Sequence, residues 1–272
     1  MLGLGNSITG GAALDTAFAP ADFGNLDIHY DFSLLSGSNG DAISAFANGG
    51  AAGSDHDLVQ VTAVRRPTID TSAMAANSAS FDNSDDRLHL SNLYLTTDKT
   101  FTFFCVFETG RAGSDVFFAG DSPTDGSAGG NNLNFIQLAG ANGVAIQSKF
   151  VGNTAGSNNS VVTTKINGTE SAGTDGDINY QYRADTSEIL IFTRDASNNI
   201  RIFNHTGGLM ATSTSNATDS DTNFRIQTIG QEGDGGSGWD GNLGEMGLYN
   251  IKLSDSEVAT LANYLATKWS VS

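Results

Sequence analysis

The stretch from Trp239 to Trp269 constrains the fold most, because a strand pattern is followed directly by a helix pattern. Residues Leu243 to Ile251 alternate between two faces, which predicts a β-strand. The apolar residues then change to helical spacing and form one stripe of Val258, Leu261, Ala262, Leu265 and Trp269. We therefore expect a strand joined by a short turn to an amphipathic helix.

The start of this helix is well specified. Ser254 can cap it, and Glu257, three residues on, completes a capping box. Leu253 and Val258 have the spacing of a hydrophobic staple. At the far end Trp269 is large enough to anchor the helix, so we expect it to dock on a sheet.

Short apolar runs separated by turn residues recur along the rest of the chain, which contains 33 glycines and only 3 prolines. This spacing predicts an all-β, two-sheet antiparallel jelly-roll sandwich with one C-terminal α-helix. The predicted strands are Leu58–Val64, Leu88–Leu90, Phe101–Phe107, Val116–Ala119, Leu133–Leu138, Val144–Phe150, Asp177–Arg183, Glu188–Thr193, Asn199–Phe203 and Phe224–Ile229, besides the opening strand and the one before the helix.

The run Phe101–Phe107 is apolar on both faces and predicts a strand buried on both sides. It contains Cys105, the sole cysteine, so an internal disulfide is excluded. We expect Cys105 to be a small core residue rather than a nucleophile.

Several motifs resemble those of concanavalin A-like, laminin G-like jelly-roll domains, over about residues 26 to 271. They are the strand, cap and helix of Gly241–Trp269, the opening strand Leu26–Phe32, the Arg66-Pro67-Thr68 triplet and the run Ala79–Asp86. Tyr30 stands where these domains usually have tryptophan, and Asn83 where they usually have glycine. The resemblance implies the same fold, which hosts lectins, adhesion modules, glycosidases and virion proteins.

The chain is strongly acidic, with 13 Lys and Arg against 30 Asp and Glu and a net charge of -17. Such a surface repels phosphate backbones and anionic membranes, so we expect no nucleic-acid or membrane partner. There is no apolar run of transmembrane length. The N-terminus has neither a basic region nor a continuous apolar core, so we expect no Sec signal peptide.

The chain is expected to form one domain of residues 26–272 preceded by an extended N-terminal arm of residues 1–25. The arm is rich in glycine and too weakly apolar to form a core. We expect it to lie on a neighbouring subunit; the alternative is a disordered leader.

Catalytic patterns are not found. Glycosidases of this superfamily carry paired acids on one strand, whereas Glu245 stands alone with Gly247 at the next position on its face. The four histidines are scattered, and no Gly-x-Ser-x-Gly motif occurs. We therefore predict a protein that is not an enzyme.

Asp82, Asp85 and Asp86 lie close together in one turn and are the candidate metal ligands. Hard cations prefer clustered oxygens, so the metal would be calcium; no other cofactor is expected. Asp also favours turns for local reasons, and a purely structural role is the alternative.

Trp239, Asp240 and Asn242 are the candidate ligand-binding residues, because an aromatic ring beside carboxylate and amide groups suits a sugar. Trp239 as a core residue is the alternative. The polar stretch 151–176 is too polar for a core and predicts a long excursion or an edge hairpin, the kind of segment that often binds ligands.

These observations favour a non-enzymatic structural or adhesive protein of a virus particle, of the tailed-phage kind. It would serve as a capsid decoration, head fibre or tail-associated recognition module within a larger assembly. Residues 1–25 would contact other virion proteins, and surface glycans are candidate ligands. The first alternative is a microbial extracellular lectin-like module; the second is a glycoside hydrolase, which would need two carboxylates about 5 to 10 Å apart.

Overall fold

The computed structural model describes residues 18–82, 84–95, 100–109, 116–117, 119–120, 132–137, 144–151, 159–166, 169–172, 186–197, 199–213, 225–230 and 239–272. Within these residues the strands form two sheets that pack face to face, and one α-helix covers the outer side of the first sheet. The expected two-sheet jelly-roll sandwich with a C-terminal helix is confirmed.

The secondary structure elements have the following bounds. The strands are β1 Leu26–Asp31, β2 Ala45–Phe46, β3 Leu58–Val59, β4 Thr68–Asp70, β5 Ser78–Asp82, β6 Leu88–Leu95, β7 Phe101–Thr109, β8 Val116–Phe117, β9 Ala119–Gly120, β10 Asn132–Gln137, β11 Val144–Val151, β12 Asn159–Ile166, β13 Thr169–Ala172, β14 Ser187–Arg194, β15 Ile200–Phe203, β16 Leu209–Ser213, β17 Arg225–Ile229 and β18 Asp240–Tyr249. Helix α1 spans Asp255–Trp269, and 3-10 turns lie at Pro20–Phe23, Phe32–Leu34, Gly53–His56 and Ala63–Arg65.

The first sheet, which we call the helix-side sheet, has the order β16-β15-β14-β7-β18-β5-β4, with β1 also paired to β18. The second, the opposite sheet, has the order β13-β12-β11-β10-β9-β17-β6-β3-β2, with β8 also paired to β10. Pairing is antiparallel throughout the described strands except where β8 and β9 run parallel to β10. Strand β18 is central because β7 pairs along one edge while β1 and β5 share the other.

Strand β7 contributes to two cores because both of its faces are buried, as its sequence predicts. Phe103, Cys105 and Phe107 join the core between the two sheets. Phe104 and Val106 face the other way and join a second core beneath α1. Burial raises the pKa of the Cys105 thiol, so the thiol stays protonated and the expected core role is confirmed.

Helix α1 forms as its sequence predicts. Ser254 Oγ accepts a hydrogen bond from the Glu257 N–H at 3.4 Å, and the Glu257 carboxylate accepts one from the Ser254 N–H at 2.7 Å. The predicted stripe is buried at all five positions, Val258, Leu261, Ala262, Leu265 and Trp269. Ser270 ends the helix in the left-handed region at φ 55°. No helix in the described part of the chain has the length and hydropathy to cross a bilayer.

The segment before β1 packs on α1 and β18. Phe18 contacts Phe23 and Tyr264, with ring centroids 4.7 and 5.6 Å apart. The Tyr249 hydroxyl donates a hydrogen bond to the Pro20 carbonyl at 2.7 Å. Residues 18–25, the end of the expected arm, thus pack against the domain. Residues 1–17 lie outside the described residues, and the contact of the arm with a neighbouring subunit stays a prediction.

The polar stretch 151–176 contains strands β12 and β13, and β13 lies at the edge of the opposite sheet. Of the two interpretations, the edge hairpin is confirmed. Strand β10 pairs antiparallel with β11. The predicted strand Asp177–Arg183 and the glycine-rich loop at 231–238 lie outside the described residues. The short strands β4, β5 and β16 were not predicted, because their polar residues give no clear alternation.

Candidate functional site

A fully buried carboxylate, Glu245, lies beneath the end of α1 on the outer face of the helix-side sheet. Lys268 Nζ donates to its Oε2 at 2.7 Å, and Trp269 Nε1–H donates to the same oxygen at 2.9 Å. His29 Nε2 lies 2.8 Å from Oε1. Lys268 Nζ also contacts Asp31 Oδ2 at 2.6 Å. We call these five residues the buried ion network.

The network keeps Glu245 charged despite its burial. Burial alone would raise the pKa of this carboxyl, but hydrogen bonds from His29, Lys268 and Trp269 outweigh it and hold the pKa below its usual range. Burial would likewise lower the pKa of Lys268, and the charges of Glu245 and Asp31 raise it instead. The contacts therefore hold a carboxylate and an ammonium in their ionised forms inside the protein.

The sequence analysis noted Glu245 only as a single acid and did not predict the side chains that contact it. His29 and Asp31 come from β1, whose register with β18 places Asp31 opposite Glu245. His29 is 216 positions from Glu245 along the chain. Lys268 and Trp269 come from the last turn of α1. A clue was present in the alternation of β1, where His29 and Asp31 fall on one face and alternate with two core residues. Strand β18 as observed begins earlier than predicted and carries a second acid, Asp240, at its start, while the side chains that contact Glu245 come from other elements.

Gly247 cannot carry the second acid that a strand-borne catalytic pair would need. A Cβ at this position would lie 2.4 Å from the Phe104 ring and 3.1 Å from the Ile28 carbonyl oxygen. The Phe104 ring is fully buried and has little room to move. The glycine is thus explained by packing, and no carboxylate fits there without rebuilding the second core.

A pocket opens beside the network, which we call the His29 pocket. Its cavity volume is about 290 Å³, and its lining residues are His29, Asp31, Leu34, Phe46, Ala47 and Gly49. His29 and Asp31 are the two residues that the buried ion network shares with this pocket. No sequence pattern indicated it, because the lining comes from β1, the turn after it and the loop around β2.

The three aspartates predicted as metal ligands are brought together. One carboxylate oxygen from each of Asp82, Asp85 and Asp86 lies within 4.8 Å of the others. Burial, the charge of Asp82 and that of Asp85 raise the pKa of Asp86 to about 7, against the effect of a backbone hydrogen bond from Asp82. We call this cluster the acidic rim. Its donor set consists of the hard oxygens that calcium prefers, so the residues fit that ion.

The acidic rim lies next to the other predicted site, because Asp240 pairs with Asp82 and Asn242 with Ser80 across strands β18 and β5. The three carboxyl groups of the rim come from one turn, and their clustered oxygens could hold a cation.

The structure corrects the ligand-binding role of Trp239. Its side chain is only 1% exposed and packs against Phe81 with ring centroids 5.2 Å apart. The alternative interpretation as a core residue is the correct one, because the side chain joins the core between the two sheets. Asp240 and Asn242 are partly exposed, although the Asn242 Oδ1 is itself buried.

No protein-family model and no curated protein matches the sequence. Solved structures of similar fold exist. The binding domain of Paraclostridial Mosquitocidal Protein 1 is 12% identical, with a TM-score of 0.52 over 91% of this chain and 55% of that one. An arabinofuranosidase in complex with arabinofuranosyl-alpha-1,2-xylobiose is 16% identical, with a TM-score of 0.53 over 85% and 52%.

A further structure of similar fold, that of an HCR/D mutant, is 8% identical, with a TM-score of 0.52 over 88% of this chain and 50% of that one. The present chain thus spans about half the length of each of these proteins. At these identities the likeness is one of fold, and it agrees with the jelly-roll architecture expected from the sequence.

Proposed function

We propose that this chain is a non-catalytic carbohydrate-binding module built on a jelly roll. The observation that carries the proposal is the position of Lys268, whose ammonium contacts both Glu245 and Asp31. A glycosidase uses two carboxyl groups that flank the glycosidic bond of the substrate. One of them must be protonated and the other ionised. Here the ammonium contacts both groups, and hydrogen bonds from His29 and Lys268 hold the pKa of Glu245 below its usual range despite its burial.

Burial supports the same conclusion. Glu245 has no exposed surface and accepts hydrogen bonds from three side chains, so a substrate has no path to its oxygens. Support for carbohydrate as the ligand comes from proteins of similar fold. One of them is the arabinofuranosidase described above, which was solved with a bound oligosaccharide.

Calcium is part of the proposal, and Asp82, Asp85 and Asp86 are the residues that would hold it. When bound, a calcium ion can coordinate ligand hydroxyl groups directly. The raised pKa of Asp86 means that the rim binds a cation in competition with a proton. We therefore expect calcium affinity to rise as the pH increases through about 7.

The test is a glycan array probed with the full chain in calcium and in EDTA, alongside hydrolysis assays on every glycan bound. We expect saturable binding without turnover. The double variant Asp82→Asn, Asp85→Asn should lose the calcium-dependent part, whereas the exposed Asp55→Asn serves as the matched control. Release of sugar by the wild-type chain, or no binding to any glycan, would overturn the proposal.

The finer proposal concerns where the module acts. We propose that it is carried on the particle of a tailed phage, which the sequence resemblance supports. The contact with other virion proteins would then be made by residues 1–17, since residues 18–25 pack on α1 of their own chain.

Immunogold labelling of purified particles, with antibody raised against the recombinant chain, tests this location. Label on the shell or tail is expected, and deletion of residues 1–17 should abolish incorporation. Label on cell surfaces with clean particles would contradict it and favour the extracellular lectin-like module.

A further inference from the structure

We infer that the His29 pocket is a carbohydrate subsite of this module, besides the calcium-dependent binding at the acidic rim, and that it takes a single neutral sugar ring. This inference rests on the proposed function, because it names the place and the ligand class of the calcium-independent part of that binding. It depends on four features of the pocket: the fixed orientation of its polar groups, their unused hydrogen-bonding capacity, its apolar wall and its charge.

The two polar side chains of the pocket are held in place from below. His29 is fixed by Glu245, at 2.8 Å from Nε2. Asp31 is fixed by Lys268 at 2.6 Å and by the Ser33 hydroxyl, which donates to its Oδ1 at 2.6 Å. Their orientations are therefore set before a ligand arrives, and a pre-organised site loses less entropy on binding.

Both side chains retain capacity for hydrogen bonds. Nε2 is occupied by the Glu245 carboxylate, which leaves Nδ1 as the ring nitrogen that can hydrogen-bond to a ligand, either as acceptor or as donor. Nδ1 has no hydrogen-bond partner among the described residues and faces Gly49, since a Cβ on that glycine would lie 3.6 Å from it. The Asp31 carboxylate has lone pairs beyond those that Lys268 and Ser33 use. Sugar hydroxyl groups both donate and accept hydrogen bonds, so they match these two side chains.

The remaining wall is apolar. Leu34 is 73% exposed, which is unusual for a large aliphatic side chain, and Phe46 lies beside it in the pocket lining. Phe46 is backed by Phe32, with ring centroids 4.8 Å apart, so its position is fixed. Sugar rings present apolar C–H faces as well as hydroxyls. A cavity of about 290 Å³ is small for a ligand pocket and suits one ring rather than a chain of sugars.

The charge of the site indicates which sugars it rejects. Asp31 and Glu245 are two carboxylates against one ammonium, that of Lys268. The chain as a whole carries -17. A uronic or sialic acid would bring a further negative charge next to Asp31, so we expect neutral sugars to bind and acidic ones to be excluded.

The experiment measures the affinity of the full chain for neutral sugars (glucose, galactose, arabinose and N-acetylglucosamine) and for glucuronic acid, by NMR titration or calorimetry. Gly49→Ala is the principal variant. Its methyl group would lie 3.5 Å or more from its neighbours, so the fold should be kept while the space beside Nδ1 is filled. Leu34→Ala removes the exposed wall, and Val61→Ala, which truncates an 85% exposed side chain outside the pocket, is the matched control.

We expect at least one neutral sugar to bind, with affinity lowered about tenfold by Gly49→Ala and severalfold by Leu34→Ala, and unchanged by Val61→Ala. Glucuronic acid should bind at least about tenfold more weakly than the best neutral sugar. Equal binding by the wild type and Gly49→Ala would overturn the inference and leave the proposed function standing. Absence of all glycan binding by the wild type would overturn both.

Discussion

At the scale of single residues, Lys268 is the side chain on which the buried ion network depends. It is the one group in the network that is certain to be cationic, and it neutralises a carboxylate that has no exposed surface. A buried ion pair of this kind adds little net stability over an apolar pair, but losing one member leaves the other charge unpaired.

We predict that Lys268→Met destabilises the protein by about 3–5 kcal/mol, because Glu245 then stays buried without its cation. Urea unfolding at pH 7 measures this. The control is Lys252→Met, a partly exposed lysine on the turn before α1, for which we expect less than about 1 kcal/mol. Equal effects of the two variants would show that Glu245 finds another partner.

Asp86 is the second residue whose charge is altered by its surroundings. Its pKa is 3.8 in the unfolded chain and about 7 in the folded protein, chiefly through burial and the charge of Asp82. Between pH values of about 4 and 7, Asp86 is therefore protonated in the folded protein but ionised in the unfolded chain. Because the folded state binds the additional proton, the free energy of unfolding decreases as the pH rises through this range.

We predict that the free energy of unfolding of the calcium-free protein drops by about 1–2 kcal/mol more in the wild type than in Asp86→Asn between about pH 4.5 and 8. Denaturant titrations at both pH values measure the difference, and Asp55→Asn should follow the wild type. Parallel pH curves for the wild type and Asp86→Asn would contradict the raised pKa.

At the scale of elements, β18 and α1 form one unit. Gly244 lets the helix approach the strand, because a Cβ there would lie 2.8 Å from the Trp269 ring and 3.0 Å from the Met74 terminal methyl. Gly247 leaves room for the Phe104 ring of β7, since a Cβ at this position would lie 2.4 Å from that ring. In this position α1 covers the second core, and its last turn brings Lys268 and Trp269 into contact with Glu245.

We predict that Gly244→Ala destabilises the protein by about 1–3 kcal/mol through this overlap with the Trp269 indole. Thermal unfolding measures the change. Gly49→Ala, whose added methyl meets nothing closer than 3.5 Å, is the control and should be near neutral. An unchanged melting temperature in Gly244→Ala would mean that the helix shifts without cost.

The cap of α1 offers an independent check on the same element. Ser254→Ala removes the hydroxyl that accepts the Glu257 N–H and should cost about 1 kcal/mol in urea unfolding. Thr267→Ala, at an exposed position in the last turn of the same helix, should cost nothing because alanine is the better helix former. If both variants behave alike, the capping box does not contribute.

At the scale of the whole molecule, the net charge of -17 disfavours contact with polyanions. We predict no retardation of duplex DNA or RNA at about 50 mM salt, where electrostatic binding would be strongest. A gel-shift titration measures this, with a basic protein as the positive control. Salt-sensitive binding would indicate a basic patch that the overall charge conceals.

Much of the fold follows from local patterns. The double-sided strand β7, the capping box and the apolar stripe of α1 are properties of consecutive residues, and each is found where its pattern predicts it. Strands β4 and β5 were missed because their stability comes from pairing with β18 and with each other, which polar sequences do not reveal.

The candidate sites also differ in how far the sequence could predict them. The acidic rim could be predicted because its three aspartates share one turn. The His29 pocket and the buried ion network could not, since their residues come from β1, the turn after it, the loop around β2, β18 and α1, and meet only in the tertiary fold. Trp239 illustrates the limit at a single position: its neighbours suggest a binding residue, and only packing against Phe81 places it in the core.

The sequence by itself therefore determined the jelly roll, the terminal helix and the acidic rim, because each depends on periodicity, capping or spacing between near neighbours. The tertiary structure alone decided that Glu245 is tied to Lys268, His29 and Trp269, and that a pocket opens beside it. Those features require residues as far apart as His29 and Glu245 to share one face of a sheet, and no local pattern carries that information.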